Sequence, residues 1–161
     1  MNQISFFVPG LAVAQGRPRF VVRLLKKIFR GGIRKRCPIC GGEISLLAYA
    51  YDPEKSRAWK QHVALFAKQH APDKPLDCAL KMELEFILPR PKSVSVKKRP
   101  LPTVKPDLDN LVKAVKDGLT GIIYRDDSLI VEIVARKVYD DGPEAKPGVF
   151  VEIESVEAAN D

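Results

Sequence analysis

Long apolar runs are absent from this chain of 161 residues. No stretch approaches the roughly 18 apolar residues of a membrane-spanning helix, so no membrane partner is expected. Cysteine and histidine are scarce, at three and two, and they leave few donors for a structural zinc site, which requires four ligands. The start Met1-Asn2-Gln3-Ile4 has neither a basic segment nor a long apolar one, so a secretory signal is not expected. A soluble, cytoplasmic protein with reduced cysteines is the expectation. Repeats are missing too, which excludes a solenoid. A length of 161 residues with 45% hydrophobic content suits one compact domain with a real core.

Acids are the minority charge, 20 against 27 lysines and arginines, for a net charge of +7. That balance favours an anionic partner. Between Arg23 and Arg36 there are seven basic residues and no acid. Arg17 and Arg19 precede that run, and Arg90, Lys92, Lys97, Lys98 and Arg99 occupy a proline-rich segment, with Lys105 following. Both segments can track phosphate backbones, each contact releasing counterions. The plainer alternative is a solvated surface. Neither segment specifies a base sequence.

Against this background the acids of Lys105-Pro106-Asp107-Leu108-Asp109-Asn110-Leu111-Val112-Lys113 stand out. If residues 107–109 are extended, Asp107 and Asp109 share a face. Oxygen-only donors of this kind suit magnesium or manganese, which keep waters for a phosphate substrate. Asp126 and Asp127 offer a third acid, arriving after Gly121-Ile122-Ile123-Tyr124-Arg125 and just before the apolar run Leu129-Ile130-Val131. Each acid also has a structural alternative. Asp109 can cap a helix over residues 110–119 with Asp107 favoured by its dipole, Lys113 can be the i+4 partner of Asp109, and Asp126-Asp127-Ser128 is turn chemistry. On a helix Lys113 lies about 200° from Leu111, while Leu111, Val115 and Gly118 form a buried stripe. Lys113 is then free to point at a phosphate.

Asp-Leu-Asp-Asn-Leu-Val-Lys-Ala-Val at 107–115 and Gly-Ile-Ile-Tyr-Arg-Asp-Asp-Ser-Leu-Ile at 121–130 resemble the RusA-type Holliday junction resolvases. Pro9-Gly10 and Gln15-Gly16-Arg17-Pro18-Arg19-Phe20 resemble that family's first strand and basic loop. The resemblance covers residues 3–20 and about 48–155. It implies a magnesium-dependent homodimer that resolves four-way DNA junctions by paired symmetric nicks in recombination or repair, encoded by a phage or bacterium and working at nucleoid DNA. It also implies that Asp107, Asp109 and Asp127 bind metal, that Lys113 is the catalytic lysine, and that Asp126 is the acid beside them.

Pattern reading predicts a mixed α/β (α+β) domain, with a mixed sheet and two main helices. Residues 3–8 read as a strand. Asp52-Pro53 opens a helix to about Gln69 with Trp59, Val63, Phe66 and Ala67 on one stripe. Leu80, Met82, Leu84, Phe86 and Leu88 alternate with polar residues in a half-buried strand that Pro89 stops. Residues 89–106 read as a loop. Residues 128–139 and 148–155 read as strands forming a hairpin through Asp140-Asp141-Gly142-Pro143.

Residues 21–47 read as a basic insertion in a single domain spanning 1–161, with Leu24, Leu25, Ile28 and Phe29 at helical spacing. Cys37-Pro38-Ile39-Cys40-Gly41-Gly42 has the form of a zinc knuckle, which is half a site. Cys78 reads as a small hydrophobe at a strand start, and His62 and His70 lie too far apart to share an ion. A two-fold axis could join two knuckles into one four-cysteine zinc site. Two other functions fit the same residues. One is a flap or single-strand nuclease sharing the acid cluster; the other is a non-catalytic DNA-binding protein whose acids only cap.

Overall fold

The computed structural model describes residues 3–25, 33–36, 43–141 and 146–157. In chain order the elements are β1 (Gln3–Pro9), β2 (Arg19–Leu25), β3 (Ile33–Arg36), β4 (Glu43–Tyr51), α1 (Glu54–Lys68), β5 (Leu80–Leu88), α2 (Leu108–Leu119), a 3-10 turn (Asp127–Leu129), β6 (Ile130–Tyr139) and β7 (Gly148–Ser155). They fall into two compact units, Met1–Gln15 with Lys55–Asp161, and Gly16–Glu54. The fold class is mixed α/β, as the sequence patterns predict.

The larger unit is built on a four-stranded mixed sheet of order β1-β7-β5-β6. β5 runs parallel to β6 and antiparallel to β7, and β1 runs antiparallel to β7. Strict alternation explains the central place of β5, because Leu80, Met82, Leu84, Phe86 and Leu88 all turn inward and are buried. Val149, Val151 and Ile153 of β7 and Phe6 and Val8 of β1 join them on the same face. Both helices cover that face. From α1 come Trp59, Val63 and Ala67, with Phe66 half-buried beside them, and from α2 come Leu111, Ala114, Val115 and Leu119. The helices meet closely at Gly118, where an added Cβ would lie 3.0 Å from both the Lys60 carbonyl and the Val63 side chain. Beyond α2 the chain turns sharply at Gly121, whose φ of +77° is in the left-handed region that side chains disfavour.

The smaller unit is a three-stranded antiparallel sheet of order β2-β4-β3. Its bounds are wider than the insertion read at about 21–47. Leu24 and Leu25 belong to strand β2, so their helical spacing carries no helix, while Ile28, Phe29 and the Cys37–Cys40 pair lie outside the described residues.

Two further expectations are corrected. β6 and β7 do not form a hairpin, because β5 lies between them and pairs with both. The strand with the strongest inward alternation gains most from having both edges paired, and residues 142–145 of the expected turn lie outside the described residues. Cys78 is exposed ahead of β5 and is not packed. No described helix is long and apolar enough to cross a membrane.

Candidate active site

The approach to α2 is held by cations from the sheet. Lys137, on the helix-covered face of β6, donates from Nζ to the carbonyls of Val104 at 3.0 Å and Pro106 at 2.9 Å. Arg90 does similar work on the preceding loop. Its guanidinium donates to the Arg99 carbonyl at 2.6 Å, lies 4.0 Å from the Tyr139 ring centroid, and grips Asp141 through Nε–Oδ1 at 2.5 Å and Nη2–Oδ2 at 2.6 Å. That grip holds the Asp141 carboxyl below the usual carboxylate range. Arg90 is thereby committed to structure. Lys97, Lys98 and Lys105 are exposed and Arg99 is half-buried. Arg17 and Arg19 are exposed in the smaller unit.

Asp107 stands at the N-cap of α2 with extended backbone, φ −73° and ψ 139°, but its side chain makes no capping hydrogen bond. The carboxylate is exposed and unspent. Asp109 is not the cap; it sits in the first turn, exposed, accepting only a long 3.4 Å bond from Asn110 Nδ2. Because the helix begins at Leu108, residues 107–109 are not extended and the same-face argument from a strand does not apply. The two acids line neighbouring clefts that share Leu108. Asp107 faces one of about 930 Å³ with Lys105 and Lys137, and Asp109 faces one of about 550 Å³ with Lys113, Lys116 and Asp127.

Helical geometry explains the second grouping. Residues 109, 113 and 116 follow an i, i+4, i+7 pattern and lie along one stripe. Asp127 reaches the stripe from the 3-10 turn. Its position is fixed upstream, where Leu76 donates to the Ile123 carbonyl at 2.9 Å and Arg125 donates back to Leu76 at 3.0 Å. Asp126 caps the turn by accepting from the Ser128 amide at 2.9 Å, and Ser128 holds its carboxyl below the ordinary value. This gives Asp126 a structural task. Lys116 Nζ lies 3.2 Å from Asp127 Oδ2, whereas Lys113 is exposed and forms no ion pair among the described residues.

Asp127, held by Lys116, lines the same cleft as Asp109 and Lys113. Among the described residues no group of three or more His, Cys, Asp or Glu stands close enough to hold a metal ion. The donors fit magnesium or manganese by chemistry, being hard carboxylate oxygens free of strong competing hydrogen bonds at Asp107 and Asp109. The histidines serve packing. His62 is 2.7 Å from the Pro9 carbonyl, and His70 stacks on Phe6 at 5.0 Å.

Lys116, Lys137 and Arg90 escape a reading by motif. The i+7 spacing from Asp109 marks Lys116, and the inward parity that Lys137 shares with Ala135 and Tyr139 marks a lysine on a covered face.

The βαβ unit of β5, α2 and β6 sets carboxylates and lysines along one cleft, side chains whose chemistry suits a phosphate ester. Comparison makes the class specific. Residues 33–154 match the model of the family described as Endodeoxyribonuclease RusA. The chain is also 38% identical over 152 residues to "Uncharacterized protein YqaN" of Bacillus subtilis (strain 168), covering 89% of this chain and 92% of that one. This protein belongs to the RusA endodeoxyribonuclease family. The family match begins at β3, so it takes in part of residues 21–47, a segment that the motif resemblance left unexplained.

Proposed function

We propose that this chain is a magnesium-dependent endodeoxyribonuclease that resolves four-way DNA junctions as a homodimer, with manganese as a substitute ion. The observation that carries the reading is the single cleft lined by Asp109, Lys113 and Asp127. Asp109 and Asp127, with Asp107 beside them, would hold the ion, which when bound neutralises charge at the scissile phosphate and the departing oxygen. Lys113, exposed and without an ion pair among the described residues, donates to a phosphate oxygen and stabilises charge that grows in the transition state. Arg17, Arg19, Lys97, Lys98, Arg99 and Lys105 bind backbone phosphates. Work on recombining or damaged DNA of a phage or its bacterial host follows from that substrate, in the cytoplasm at the nucleoid.

The homodimer reading rests on a contact between copies across the open edge of the sheet. β6 is an edge strand with Val131, Ile133 and Val134 exposed, an apolar border that such a contact would cover. The Cys37–Cys40 pair is read as half of a zinc site shared between protomers, with one zinc expected per two chains by elemental analysis.

Cleavage of a mobile four-way junction tests this reading, with duplex, flap and single-strand controls. Asp109→Asn and Asp127→Asn are each expected to lose at least about a hundredfold in rate. Normal cleavage by either single variant would remove the acid assignment, metal-independent binding without cuts would favour a DNA-binding protein, and preference for flaps another nuclease.

A further inference from the structure

The Lys116–Asp127 pair does more than decorate a surface. The lysine stem is largely covered, with 21% of the side chain accessible, while the carboxylate it holds is 49% accessible and faces the cleft. The root of the lysine is fixed. Its backbone carbonyl accepts from the Thr120 amide at 3.1 Å, the Thr120 hydroxyl at 2.9 Å and the Tyr124 hydroxyl at 2.9 Å. Tyr124 is itself fully buried. A fixed root beneath a long side chain makes a tethered cation, and it occupies a carboxylate that lines the cleft.

Charge in the cleft supports the same conclusion. Asp109 and Asp127 face Lys113 and Lys116, two acids against two bases. Entry of a divalent ion gives the cleft a surplus of positive charge and leaves Lys116 without its acid. A phosphodiester is the anion that would relieve both.

We propose that Lys116 is a built-in competitor of the divalent ion, holding Asp127 in the metal-free protein and leaving it for the DNA phosphate when the ion binds. This rests on reading Asp127 as a metal acid. Lys116 is then a positioning residue that couples metal binding to DNA binding, and it is distinct from Lys113, which is free from the start.

Manganese(II) binding to the full chain without DNA, followed by the electron paramagnetic resonance of the free ion, tests the proposal independently of cleavage. Lys116→Gln should bind manganese roughly two- to fivefold more tightly than wild type, the range set by a partly exposed ion pair. Lys116→Arg should bind like wild type, and Lys113→Gln should shift affinity by less than Lys116→Gln. Unchanged or weaker binding by Lys116→Gln overturns the proposal. So does equal tightening by Lys113→Gln, which would mean a general effect of charge and no displacement. Wild-type affinity in Asp127→Asn would overturn the metal assignment on which the proposal stands, a result separable from the other two.

Discussion

The two faces of the four-stranded sheet are made by alternate residues of the same strands, yet they differ in kind. The covered face carries Met82, Leu84, Phe86, Val149, Val151 and Ile153 against both helices. The open face carries paired charges: Lys81 lies 2.7 Å from Glu83 and 3.2 Å from Glu154, Arg136 bonds Glu85, and Gln3 donates to Glu152 at 2.5 Å. Its apolar content includes the Phe7–Phe150 pair, with ring centroids 4.7 Å apart. The candidate cleft lies on the covered side, where α2 packs beside β6. The covered face supplies rigidity, and its one inward lysine, Lys137, turns that rigidity into a fixed approach to Asp107. A period of two separates scaffold from surface within a single strand.

Breaking the comparison at its centre should give the largest effect. Phe86→Ala removes a fully buried ring and is expected to cost about 3–5 kcal/mol, whereas Phe150→Ala, half exposed on the other face, should cost under about 1 kcal/mol. Urea unfolding of both variants measures the difference, and equal losses would show that the open face is buried in the working protein. Lys137→Met should lower stability by about 1–2 kcal/mol through two lost charged hydrogen bonds. Its junction cleavage should fall by tenfold or more, because a small shift of a positioned group is costly. A loss of stability alone would mean that the loop needs no anchor.

The smallest effect concerns the clamp at the border of the covered face. Arg90 holds Asp141 below its ordinary value, so the folded carboxyl binds fewer protons than the unfolded one. Its contribution is then complete above the usual carboxylate pKa and fades as pH falls through the depressed value. The gap in unfolding midpoint between wild type and Asp141→Asn should therefore be constant above about pH 5 and should close below about pH 4. A gap that ignores pH would assign the clamp to shape instead of charge.

Much of this was legible in the linear chain. Strict alternation marked β5, the Trp59–Val63–Ala67 stripe marked α1, and Leu111, Val115 and Gly118 marked the buried side of α2, leaving Lys113 outward. These readings succeed because burial repeats with the period of the backbone. The acids were harder. Each one had an adequate local explanation, and Asp126 took one, as a cap. The supposed hairpin of β6 and β7 failed because proximity in sequence says nothing about a third strand that pairs with both.

The sequence by itself determined the chemistry available: carboxylates and lysines at fixed spacing, on an outward stripe of one helix, in a basic chain of the RusA family. Helical angles are local, so they follow from residue number alone. Only the tertiary structure decided which of those groups share a cleft, and that Lys116 rather than Lys113 holds Asp127. Those distances depend on where the sheet and the turn after α2 place segments remote in sequence, and packing sets that placement.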